Sequence, residues 1–246
     1  MKLPPFITNA LLGRTIAEID EPGVTLKIVE KNGRRTLLYN NIVFSAIIKD
    51  SLYTHGYWDY FMPLPLLFEN PSVMVIGLGG GTVPYQLETL YHNIRIDVID
   101  IDPNMVSISK MFLPRDLKAK VIIGDGAEYI QKVENSYDLI ILDTYSNSKI
   151  PGAFLADAFI KNAHKALKQN GILAINYALS SDNLPYFVDY TKRLESHFKV
   201  GIVSAYNLGN RIIVCMKGIE KEGLDKAVKG FGSSKIADDY IDMKML

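Results

Sequence analysis

The chain has 246 residues, 48 % of them hydrophobic, which is enough for one substantial core and a small extra module. Lys and Arg total 27 against 27 Asp and Glu, so no global charge favours nucleic acid or an anionic membrane, and recognition must be local. The single cysteine, Cys215, excludes disulfides within the chain and cysteine-metal clusters, which fits a reducing cytoplasm.

The N-terminal stretch MKLPPFITNALLG has prolines where a signal peptide needs an unbroken apolar region, and no later apolar run reaches membrane-spanning length. A soluble, cytoplasmic protein is expected. From Arg14 to Ile48 the short alternating segments RTIAEID, VTLKIVEK, RTLLY and IVFSAII are separated by the turn residues Pro22-Gly23, Asn32-Gly33 and Asn40-Asn41. This pattern predicts a small antiparallel β module over residues 1–50, with a second unit over 51–246. Asp50 to Leu67 is rich in aromatics (Tyr53, Tyr57, Trp58, Tyr60, Phe61) and is expected to form a linker helix packed beside a glycine-rich stretch.

That stretch, Val73 to Thr82, reads VMVIGLGGGT, a buried strand running into a glycine-rich turn. Gly77, Gly79, Gly80 and Gly81 remove the β-carbons that would keep a ligand from the backbone. A helix from Thr82, with Pro84 tolerated in its first turn, presents its N-terminus to whatever binds there. Strand and helix then alternate, as a parallel sheet requires. IDVID ends in Asp100, KVII leads to Gly124-Asp125-Gly126, and YDLIIL delivers Asp143 at the carboxyl edge where open α/β sheets bind ligands. Next come a loop TYSNSKIPG, a helix from about Phe154 to Gln169 stopped by Asn170-Gly171, the strand ILAIN, and a helix over roughly Asn183 to His197. KVGIVSAY and RIIVCMK flank Asn207 to Asn210 as a hairpin, so the sheet ends antiparallel, as in a class I methyltransferase-like fold. From about Ile219 a loose helix and tail are expected. His55, His92, His164 and His197 show no metal-ligand spacing.

Four signatures therefore stand in order: VIGLGGGT, VIDIDPNMV, IIGDGAEYI and YDLIILDTYS followed by IP. Together they resemble the spermidine synthase (polyamine aminopropyltransferase) superfamily, in its GLGGG-type spermidine synthase-like form, over roughly Leu37 to Tyr177, with a weaker echo in ADDY near the end. The resemblance implies an N-terminal β module beside a Rossmann-like, class I methyltransferase-type sheet. It also implies transfer of an aminopropyl group from decarboxylated S-adenosylmethionine to an amine such as putrescine, releasing methylthioadenosine, with no metal and no tightly bound cofactor. Gly77, Gly79, Gly80, Gly81, Asp100, Ile101, Asp125 and Gly126 become the donor-binding candidates. By the resemblance Asp100 would hold the ribose hydroxyls and Asp125 the adenine amino group. Asp143 would be the catalytic acid at the reacting amine, assisted by Tyr57, with Tyr53, Tyr145 and Ser146 as substrate-binding candidates. The residue types suit the chemistry: an alkylammonium with a pKa of about 10 must lose a proton before it attacks a sulfonium carbon. A β module able to pair with its own copy makes a homodimer or higher homo-oligomer the expected assembly.

Three departures from the family pattern stand out. Gly80 occupies the place of an acid for the donor's terminal amine, Ser146 that of a second acid, and Phe44 that of a glutamine after the β module. Without the resemblance, Asp100 and Asp125 could equally cap the helices after them, and Asp143 could merely end a strand. Methyl transfer from intact S-adenosylmethionine is the second reading, since a donor that keeps its carboxylate does not want an acid at position 80. A non-catalytic nucleoside-binding module is the third. A dehydrogenase fits poorly, because Thr82 stands where GxGxxG needs its last glycine.

Overall fold

The computed structural model describes residues 13–21, 23–146, 149–206 and 209–246. Strands β1 (Arg14–Glu21), β2 (Val24–Lys31), β3 (Arg34–Tyr39) and β4 (Ile42–Ile48) form an antiparallel sheet in sequential order. Asn32 and Gly33 at φ 51° and 76°, and Asn40 and Asn41 at 48° and 65°, supply the paired positive φ values of two-residue hairpins. The Pro22 half of the first predicted turn lies outside the described residues. The inner face, with Leu26, Ile28, Leu37 and Ala46 buried, shares a core with Phe112 and Leu113. Arg35 also donates to the Phe112 carbonyl at 2.8 Å, so this sheet is seated against the larger one.

The larger sheet runs β12-β10-β11-β9-β8-β5-β6-β7. β5 (Ser72–Ile76), β6 (Arg95–Asp100), β7 (Lys120–Ile123), β8 (Tyr137–Leu142) and β9 (Leu167–Ala178) pair in parallel. β10 (Lys199–Ser204), β11 (Asn210–Met216) and β12 (Lys244–Met245) add antiparallel partners. Alternation on β5 explains why both faces must be covered. Val73 and Val75 pack toward helices α1 (Thr82–Leu90) and α2 (Asn104–Phe112), whereas Met74 and Ile76 pack toward α5 (Asp157–Ala166) and α6 (Leu184–Glu195). Between them lie the single-turn helices α3 (Gly126–Tyr129) and α4 (Gly152–Leu155). Residues 207–208 of the predicted hairpin loop lie outside the described residues.

Three elements differ from expectation, each for an identifiable reason. The aromatic stretch is two short 3₁₀ turns, Tyr57–Phe61 and Leu64–Leu67, rather than a helix. The Asp59 carboxylate folds back to accept from the Thr54 and His55 amides at 2.8–3.0 Å, and Pro63 and Pro65 interrupt the chain toward β5. The helix expected over Phe154 to Gln169 breaks at the extended Ala156 and ends at Ala166, where the Asn135 and Ser136 amides take the Lys165 and Ala166 carbonyls. Asn170, at φ 64°, therefore sits inside β9, where pairing slips from Tyr137↔Leu167 to Leu139↔Ile172. The tail is built rather than loose: α7 (Lys221–Val228) and α8 (Ser234–Ile241) bury Leu224, Val228, Ile236 and Tyr240, and β12 pairs with β10. Its polar composition conceals apolar residues four apart that share one helix face.

Candidate functional site

Four strands deliver their carboxyl ends to one edge, and main-chain bonds knit the edge together. Gly77 donates to Ile99 at 2.8 Å, Asp143 to Ile76 at 2.9 Å, and Gly124 to Asp100 at 2.9 Å. Gly77 sits at φ 101°, and a β-carbon there would lie 2.2 Å from the Asp143 carbonyl oxygen. Only glycine lets the loop pass this strand end. Ser45 of β4 accepts from the Gly80 amide at 2.8 Å, and Thr82 donates to the Ala46 carbonyl at 3.1 Å, so the small sheet holds the glycine loop from outside.

The strand-end acids are held in two different ways. Asp100 accepts from the Leu78 amide at 2.6 Å and the Asp102 amide at 2.9 Å, while burial raises its carboxyl above the usual range. Asp125 caps α3, accepting from Ala127 at 2.7 Å and Glu128 at 3.4 Å. A carboxylate has about four acceptor sites, so capping and ligand binding are compatible. Among the described residues, Asp143 accepts from two side chains: Asn176 Nδ2 reaches Oδ1 at 2.9 Å and Tyr57 Oη reaches Oδ2 at 3.3 Å. Burial holds the Asp143 carboxyl up to about 6, and these two bonds pull against that rise. Asp143 and Tyr57 keep some accessible surface because they line a cavity, yet the protein around them removes most solvent. The same burial, with Asp143 adjacent, pushes the Tyr57 phenol well up, so it acts as a hydrogen-bonding phenol and not as a phenolate.

The cavity, about 230 Å³, lies between the glycine loop, β4 and the ends of β8 and β9. Asp143, Tyr57, Tyr145 and Asn176 line it together with Tyr39, Val43, Phe44 and Trp58, whose ring stands 4.4 Å from that of Tyr57. Tyr145 Oη donates to the Asn176 carbonyl at 2.9 Å and accepts from the Ala178 amide at 2.7 Å, pinning the loop after β8 onto β9. Behind it, Asn210 Nδ2 donates to Asn176 Oδ1 at 2.8 Å, which fixes the amide that meets Asp143.

Of the other candidates, Gly77 and Gly79 line the cavity, whereas Gly80 and Gly81 face inward. A β-carbon on Gly80 would come within 2.7 Å of Phe112 Cδ1 and 2.8 Å of Ser45 Cβ. Ile101, 71 % exposed, stands beside Asp100 at the edge, and Gly126 packs on Ile76. Tyr53 is not brought to the cavity wall; its ring packs edge-on against Phe231, 6.3 Å away. Ser146 is likewise off the wall, in a backbone bridge with Lys149. Asp239, in the ADDY segment of the tail, accepts from Tyr60 and pairs with Lys235. Sequence reasoning missed Asn176 and Asn210. The available signal was a polar residue in an otherwise apolar strand, ILAIN, which a buried strand tolerates only when the amide is bonded. Among the described residues, no group of three or more His, Cys, Asp or Glu could hold a metal ion, and no helix is long and apolar enough to cross a membrane.

Comparison with known proteins agrees with this architecture. The family model described as spermine/spermidine synthase domain matches residues 54–207. Polyamine aminopropyltransferase 1 of Aquifex aeolicus is 30 % identical over 170 residues, covering 64 % of this chain and 58 % of that protein. The polyamine aminopropyltransferase of Clostridium perfringens is 31 % identical over 153 residues, covering 58 % and 52 %. The chain thus spans about half the length of the curated relatives it matches. The crystal structure of spermidine synthase from Thermotoga maritima superposes with a TM-score of 0.68 at 20 % identity, over 90 % of this chain and 80 % of that one, which shows a common fold.

Proposed function

Because the chain belongs to the spermine/spermidine synthase domain family, we propose that it transfers an aminopropyl group from decarboxylated S-adenosylmethionine to an amine. The observation that carries this reading is Asp143, a desolvated carboxylate with a pKa of about 6 facing a cavity beside the glycine loop. An acceptor ammonium entering the cavity offsets the cost of that buried charge and then passes it a proton. Tyr57 and Asn176 each hold one carboxylate oxygen, so the base meets the acceptor in one orientation. The freed lone pair attacks the donor methylene next to sulfur. The C–S bond breaks with its electron pair going to the sulfonium, and methylthioadenosine leaves neutral.

In this reading the donor's adenosine would lie at the edge beside Asp100, Ile101 and Asp125. Asp100 would accept the ribose hydroxyls with the lone pairs its two backbone donors leave, and exposed Ile101 offers a base an apolar face. The reading includes the division at residue 50, a cytoplasmic location, and a homodimer through β1, the first strand in the order of the small sheet. A second reading, methyl transfer from intact S-adenosylmethionine, is favoured by one observation: Gly80 is packed against Ser45 and Phe112, so no acid stands in the loop to meet a donor amine. Incubation with each donor and a panel of amines, followed by mass spectrometry, separates the two. Methylthioadenosine released from the decarboxylated donor is expected; S-adenosylhomocysteine from the intact donor would move the assignment to methyl transfer.

A further inference from the structure

The cavity that receives the acceptor is unusual in its charge. Among the described residues lining it, Asp143 is the only carboxylate, and no Lys or Arg is present. Two further acids, Asp59 and Asp239, are committed elsewhere. Asp59 is taken up by the Thr54 and His55 amides, the Thr54 hydroxyl and the Gln86 amide. Asp239 is taken up by Tyr60 and Lys235. Residues 1–12, 22, 147–148 and 207–208 contain no Asp or Glu. The rest of the lining is neutral: Tyr39, Phe44, Ser45, Thr82 and Trp58, whose ring stands 4.4 Å from that of Tyr57, with Ile42 and Val43, both about half exposed, at the rim.

Resting on the aminopropyl-transfer reading, we propose that the acceptor is a primary monoamine with an apolar body, an alkylamine or arylalkylamine, and not a diamine or polyamine. The donor already brings a sulfonium and a terminal ammonium. A monoamine adds one cation, which Asp143 neutralises by taking its proton. A diamine adds a second, for which the described lining offers neutral side chains such as Tyr39, Ser45 and Thr82 but no second carboxylate as a counter-charge. An alkyl tail in the same place gains about fourfold in affinity for each methylene it buries. The step balances: the acceptor nitrogen gives a proton to Asp143, forms the C–N bond with the donor methylene, and the C–S pair remains on sulfur. The products are methylthioadenosine and a secondary amine carrying one aminopropyl group.

The test is a matched pair, hexylamine and hexamethylenediamine, which differ only in the distal ammonium. With decarboxylated S-adenosylmethionine, kcat/KM for methylthioadenosine release is expected to be at least about tenfold higher for hexylamine. Equal or higher efficiency with the diamine overturns the proposal. Calorimetric titration of both amines into protein saturated with methylthioadenosine gives a readout independent of turnover, and hexylamine is expected to bind more tightly. If no amine releases methylthioadenosine, aminopropyl transfer fails while the titration still decides the preference of the pocket; absence of hexylamine binding there overturns the proposal outright. Val43→Asp, at an exposed rim position, places a carboxylate where the distal ammonium would lie and should shrink the preference for hexylamine by about two- to fivefold. An unchanged ratio in a folded variant counts against the assigned path of the acceptor tail.

Discussion

The two halves of the site are built by different means. On the donor side, Asp100 and Asp125 are positioned by backbone amides within three residues of themselves or in the glycine loop. On the acceptor side, Asp143 is positioned by side chains 33 and 86 residues away in sequence. Main-chain donors lower the cost of a charge and fix the loop whether or not a ligand is present. At Asp143 burial outweighs its two side-chain bonds and raises the carboxyl to about 6, which is the condition a proton acceptor needs. In the proposed reading the donor side is therefore a scaffold, and the acceptor side is where reactivity is held.

Asp143→Asn is the largest expected break in that contrast. Turnover should fall by about 10² or more while methylthioadenosine binding persists, because the amide keeps the shape but cannot accept the proton. Stability should move the other way. A carboxyl raised from 3.8 to about 6 on folding contributes stability that is complete below the unfolded value and lost as pH rises through 6. The variant should thus be more stable than the parent at pH 8, by up to about 3 kcal/mol, and the gap should close in acid. Denaturant melts at both pH values, with kinetics alongside, check this; near-parental turnover would remove Asp143 from the reaction.

On the donor side the corresponding break is Gly80→Asp, which restores the acid of the family pattern. With Ser45 Cβ and Phe112 Cδ1 within 2.8 Å of the new β-carbon, overpacking should cost about 1–3 kcal/mol and give no gain with putrescine. A variant with an unchanged thermal midpoint would show that the loop has room for the acid. Asp100→Ala should weaken methylthioadenosine binding about tenfold and lower stability by about 1 kcal/mol, since it frees the Leu78 and Asp102 amides as well as the ribose. Calorimetry that shows unchanged affinity would leave Asp100 as a loop clamp alone.

The same contrast explains what could be read from the sequence. Asn32-Gly33 and Asn40-Asn41 predict their hairpins because local φ values decide them, and β5 and β8 stand out through the apolar runs VMVI and LIIL. Asp100, Asp125 and Asp143 are visible because strand ends feed one edge. What escapes is long-range: Asn176 matters only because β9 lies beside β8, and Tyr53 turns to Phe231 because the tail packs there. Asn170-Gly171 carries the residues of a helix stop, yet pairing with β8 extends the strand through it. The aromatic stretch has helical composition, but the Asp59 side chain competes for its amides.

The smallest expected effect falls on Asn176, and it separates a positioning residue from a structural one. Its Nδ2 bond to Asp143 favours the ionised carboxylate and opposes burial, so Asn176→Ala should raise the Asp143 pKa above its value of about 6. Catalysis needs the carboxylate, hence kcat/KM rises as pH rises through that pKa, and the acid limb should move to higher pH by about one unit. The deficit should then be largest near pH 6 and shrink at alkaline pH. Asn210→Ala removes the bond behind Asn176 but leaves Nδ2 available to Asp143, so its limb should move less. A uniform loss of activity at every pH, with the limb in place, would mean that Asn176 only holds β9 and β11 together and does not set the proton affinity of Asp143.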